Sequence, residues 1–108
     1  MSRKSFGTQG DEAFHEGDFE RALDLYSLSL DNEESKDDDN KFSLLSNLSA
    51  CHLKIAQEEK SSDISIKHRK LALETAENCI SCSPLKPNVY LLIHFMVYFY
   101  YELVNYDS

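Results

Sequence analysis

Three groups of residues in this 108-residue chain are of types that do chemistry elsewhere. The first is Cys79-Ile80-Ser81-Cys82, which has the C-x-x-C spacing of redox and zinc sites. A redox pair needs to stand at a helix N-terminus, where the helix dipole lowers a thiol pKa. Here Ala72, Leu73, Ala76, Cys79 and Ile80 mark one seam of a helix that Pro84 ends, so the pair falls at the C-terminal end. The same dipole raises a thiol pKa there. Zinc would need a second pair of ligands, which Cys51 and the scattered histidines do not supply. The cysteines therefore read as small packed thiols.

The second group is His52, which falls on an apolar helix face and reads as a packed, hydrogen-bonded side chain. The third is charge. Residues 31–41, DNEESKDDDNK, lack the glycine and the closing bidentate Glu of an EF-hand, so they read as a solvated connection. Lys67-His68-Arg69-Lys70 reads as a solvated basic face, with a docking patch as the alternative. There is no Gly-rich phosphate loop, no nucleophile elbow and no carboxylate pair in an apolar setting. The expectation is a non-catalytic protein with no cofactor, no metal site and no small-molecule substrate.

The elements that must position these groups read as helices. Phe6, Gly10, Ala13 and Phe14 recur at one face of a first helix, which Gly17 closes in the left-handed conformation. Asp18 caps the next helix, where Phe19, Ala22, Leu23, Tyr26 and Leu30 form the seam and Glu20, Asp24, Ser27 and Asp31 face away. Small Gly10 and Ala22 mark the crossing of the two. A helix over about Asn40 to Ala56 carries two stripes, Phe42, Leu45, Ser49 and His52 on one side and Leu44, Leu48, Cys51 and Ile55 on the other. A helix apolar on two sides is sandwiched between neighbours. Residues 57–67, QEEKSSDISIK, read as an insertion, part of which lengthens the following helix.

The composition agrees with a helical chain of one domain. Three Gly and two Pro leave little room for a loop-rich β fold. A net charge of −8 argues against nucleic acid and anionic membrane surfaces as main partners. An odd number of cysteines behind a polar start, Met1-Ser2-Arg3-Lys4-Ser5, suits a reducing cytoplasm.

Gly10-Asp11-Glu12-Ala13-Phe14, then Gly17-Asp18-Phe19-Glu20-Arg21-Ala22-Leu23 and Tyr26, resembles the tetratricopeptide repeat of chaperone-binding proteins. Phe6 stands where many repeats have Trp. Ser46 to Lys54 resembles the first helix of a second unit, and Leu71 to Pro84 its second helix. A repeat of this type is about 34 residues. The resemblance implies an α-solenoid in residues 1–88. Its two antiparallel helical hairpins would span about 4–34 and 42–84, with inserts at 35–41 and 57–67. It also implies a protein-interaction module, of adaptor or co-chaperone type, that holds an extended peptide in its concave groove.

In the chaperone-binding relatives, five side chains clamp the two carboxylates of an acidic tail by charge-assisted hydrogen bonds. Only the second-unit Asn is kept here, as Asn47. The first-unit Lys and Asn fall on Gly7 and Asp11, and the third-unit Lys and Arg on Asn88 and Leu92. Asp11 would repel such a tail and, with the net charge, favours a neutral or basic segment. Asp11, Phe14, Asn47, Ala50 and Leu53 are the expected lining of the peptide's path.

From Val89 to Val104, VYLLIHFMVYFYYELV, the sequence becomes aromatic nearly all round a C-terminal apolar helix. Three readings fit residues 89–108. The helix is a divergent cap, or it anchors a membrane adaptor by its tail, although a span needs roughly 20 apolar residues. In the third reading Val89-Tyr90 begins translated intron, and the chain is a fragment of a longer repeat protein.

Overall fold

The turn between the first two helices is where the chain's local chemistry is plainest. In the computed structural model, which describes residues 4–32 and 38–82, Gly17 has φ of 82°. Its N–H donates to the carbonyl of Phe14 at 3.0 Å, and the N–H of Asp18 donates to that of Ala13 at 2.9 Å. These are the two bonds of a Schellman ending, which needs a left-handed residue after the cap. Asp18 then starts the next helix, its carboxylate accepting from the Arg21 N–H at 3.2 Å.

This turn joins α1 (Phe6–His15) to α2 (Phe19–Asp31); α3 (Asp38–Glu58) and α4 (Ser62–Cys82) follow. The described residues are all-α, with no strand among them. Each helix packs on the next in the chain, α1 on α2, α2 on α3 and α3 on α4. Ser5 starts α1, its hydroxyl accepting from the Thr8 N–H at 3.1 Å.

The two-sided pattern of α3 has its expected consequence. Phe42, Leu44, Leu45, Leu48, Ser49, Cys51 and Ile55 are all buried, because α2 covers one side and α4 the other. Side-chain bonds to backbone carbonyls tie α3 to α4. The Cys79 thiol donates to the Phe42 carbonyl at 3.2 Å, the Ser49 hydroxyl to the Ala72 carbonyl at 2.8 Å, and the Ser65 hydroxyl to the Ala56 carbonyl at 2.9 Å. Residues 42, 49 and 56 face 79, 72 and 65, so numbering rises on one helix as it falls on the other. The contacts recur every seventh residue, about two helical turns. Small Ser49, Ala56, Ser65, Ala72 and Cys79 at these places let the backbones approach closely enough for a short side chain to reach a carbonyl across the seam.

The boundaries differ from the sequence reading in two places. Residues 38–41, read as part of an acidic connection, belong to α3. Of residues 57–67, read as an insert, only Glu59–Ser61 lie outside helix. The basic quartet consequently stands inside α4 rather than at its start, with His68 and Arg69 partly buried. On α2, Ser27 is half-buried rather than solvent-facing, and Ser29 is buried at 2 % exposure. Residues 33–37, Pro84, the aromatic stretch 89–104 and the positions Asn88 and Leu92 lie outside the described residues.

Candidate functional site

Gly10 and Tyr26 set the geometry of a groove between α1 and α3. A Cβ on Gly10 would lie 2.7 Å from Tyr26 Cε1 and 2.8 Å from Cδ1, so the ring is wedged against the α1 backbone. Gly10 thus serves the helix crossing by admitting the Tyr26 ring. Tyr26 is 2 % exposed, and its hydroxyl donates to Asp11 Oδ1 at 2.5 Å. A buried phenol needs a partner for its O–H, and the first turn after Gly10 supplies it. Burial, and then the bond to the Asp11 carboxylate, push the Tyr26 pKa well above its ordinary value, so the phenol stays a donor.

Above this floor lies a groove of about 450 Å³, within the size range of ligand-binding clefts. Gly7, Thr8 and Asp11 line it from α1, Asp11 about one helical turn beyond the other two. Asn40, Ser43, Leu44 and Asn47 line it from α3 at intervals of three and four residues. Tyr26 and Ser29 of α2 close its base. Among the described residues the lining is mostly hydroxyl and amide, and Asp11 carries its only formal charge.

Of the five expected groove residues, the structure brings Asp11 and Asn47 together on this lining and leaves the other three off it. Phe14 instead makes an edge-on ring contact with Phe19, centroids 5.0 Å apart, beside the turn. Ala50 and Leu53 are half-buried farther along α3. Tyr26 and Ser29 were not foreseen as part of the site. The signal for Tyr26 was there, a hydroxyl on an otherwise apolar seam with an acidic residue beside the glycine it packs on.

A second titratable cluster lies between α3 and α4. His52 Nδ1 and His68 Nδ1 are 3.0 Å apart, so one ring carries its proton on Nδ1 and donates to the other. Burial and the neighbouring His68 push the His52 pKa down to about 4. His68 is also lowered, by burial and by Lys67, against the opposing pull of Glu20 and Glu59. The pair links two helices and is half-buried. Cys51 and Cys79 are thiols at 0 % exposure, and burial pushes the Cys51 thiol up to about 12. Neither is placed to act as a nucleophile at neutral pH. Among the described residues no three His, Cys, Asp or Glu side chains converge as a metal site. No helix among them is long and apolar enough to cross a membrane.

Comparison of the chain with protein-family models, curated proteins and solved structures gives no match.

Proposed function

We propose that this chain is a tetratricopeptide-type interaction module that binds an extended segment of a partner protein along the α1–α3 groove and catalyses no reaction. In this reading α1–α2 and α3–α4 are two antiparallel hairpins of a short α-solenoid. The opposed numbering of the α3–α4 contacts and the one-after-another packing of the helices support it. The observation that carries it is the groove itself, lined from α1 and α3 by residues about one repeat length apart, Asp11 and Asn47. Hydroxyls and amides spaced along two helices suit the backbone of an extended peptide, which offers donors and acceptors at every residue. Buried thiols at Cys51 and Cys79, neither in a disulfide, suit a cytoplasmic protein.

Acidic chaperone tails are not the proposed ligand. Gly7 offers no cation, and Asp11 opposes a carboxylate. The absence of a lysine at Gly7 is a matter of chemistry rather than space, since a Cβ there would make only ordinary contacts, 3.6 Å to Ser29 Oγ and 3.8 Å to Leu44 Cδ2. The test is an array of acetylated, amidated random nonapeptides probed with the full chain. Discrete binders are expected, and Asn47→Ala should weaken them about five- to tenfold, the worth of one or two hydrogen bonds. An array with no binder would refute the proposal. A peptide ending Glu-Glu-Val-Asp should not bind at millimolar concentration, whereas Gly7→Lys with Asp11→Asn should bring measurable binding.

A further inference from the structure

Asp11 is held in an arrangement that a groove for peptide backbone alone does not require. Its Oδ1 accepts from Tyr26, whose ring cannot swing away because α1 passes directly over it at Gly10. A carboxylate has about four lone-pair sites, and this bond uses one of them. Among the described residues no Lys or Arg pairs with Asp11; the ion pair present is Lys4 with Glu12, at 2.6 Å on exposed side chains. Among the described residues no basic side chain lines the groove, and the rest of that lining is neutral. Among the described residues, Asp11 is thus a fixed negative charge in an otherwise neutral lining, with no cation paired to it.

We infer that the groove selects a partner segment carrying a Lys or Arg side chain, which pairs with Asp11 while Tyr26 holds the carboxylate in place. The inference rests on the groove reading above and adds the chemical class of the ligand. Charge complementarity identifies the occupant. A cation gains a charge-assisted bond at Asp11, while an acidic residue meets repulsion and a neutral one leaves the charge unpaired. Because Tyr26 orients Asp11 before binding, little ordering cost remains to be met when the cation arrives. The net charge of −8 draws cationic segments toward the chain but cannot place them; the placement is local to Asp11.

The same array of acetylated, amidated peptides tests this, followed by binding isotherms for the best sequence and its analogues. Lys or Arg should be enriched at one position, and replacing that residue by Gln should weaken binding about tenfold. Asp11→Asn should abolish the preference for the cationic peptide over its Gln analogue. Asp11→Lys should turn the selection toward Asp and Glu. Asp24→Asn removes an equal charge from an exposed place on α2 off the groove lining, and should leave the ratio intact. Peptides that bind without cation preference, or a preference that survives Asp11→Asn, would overturn this inference and leave the groove reading standing. An array with no binder would overturn both.

Discussion

Gly10 and Gly17 are both required, for different reasons that substitution can separate. At Gly10 a methyl group meets a buried ring at 2.7 Å, so the ring or the helix must shift. Forced shifts of that kind cost about 1–3 kcal/mol, against which alanine returns less than about 1 kcal/mol of helix propensity. Gly17 has φ of 82° and open space around its Cβ position, so alanine there loses about 1 kcal/mol through backbone conformation alone. Urea denaturation should therefore find both alanine variants destabilised, and Gly17→Asn largely restored because Asn tolerates the left-handed region. Gly10→Asn should be worse than Gly10→Ala. Equal behaviour of Asn at the two sites would contradict this account. The turn was legible in the sequence because Gly-Asp after an apolar face is a local signal. The ring that Gly10 admits was not, since a spacing pattern shows that a small residue is needed without showing what approaches it.

At the scale of helices, α4 shows where polarity misleads a sequence reading. Ser65 lies in a stretch with few apolar residues, yet it is buried and its hydroxyl bonds the Ala56 carbonyl. A serine that finds its acceptor across a seam serves as a core residue while counting as polar, so residues 57–67 read as an insert although most are helix. The apolar stripes of α3 were legible because Phe, Leu and Ile advertise burial unambiguously. The His52–His68 contact was not, because residues 16 apart on separate helices leave no periodic mark. That contact makes the α3–α4 pairing sensitive to acid. With both folded-state pKa values below the unfolded value of about 6.5, the unfolded chain takes up protons first, so stability falls as pH drops from 6.5 toward 4. Glu20 and Glu59 offset part of the effect at His68. Two imidazolium rings cannot both be accommodated with their nitrogens 3.0 Å apart. Allowing for solvent screening at this half-buried site, the loss between pH 7 and 5 should be on the order of 1–2 kcal/mol. Denaturant midpoints at the two pH values measure it, and His52→Asn should remove most of the difference. A flat profile, or an unchanged slope in His52→Asn, would contradict the prediction.

The four described helices each pack on their neighbours in the chain, and this order of contacts grades stability along them. In the middle of that order, α3 has neighbours on both sides and contributes most of the large buried side chains, from Phe42 to Ile55. At the edge, the buried residues of α1 are Gly10 and Ala13, and it packs mainly on α2. A ten-residue helix is marginal without tertiary support, so α1 depends on the Ser5 cap, the Gly17 ending and the Tyr26 wedge. Amide hydrogen exchange should accordingly be slowest over residues 44–56 and markedly faster in α1, which opens without the rest unfolding. Ser5→Ala removes the acceptor for the Thr8 N–H and should speed exchange in α1 severalfold, an effect of about 1 kcal/mol, with α3 unchanged. Exchange rates that are uniform across α1 and α3, or that respond together to Ser5→Ala, would mean these helices open only as one unit. The consequence reaches the groove, because α1 carries Asp11 and forms one wall of it. If α1 opens separately, a bound peptide must slow its exchange more than that of α3, and Ser5→Ala must weaken the peptide by the fraction of molecules in which α1 is open.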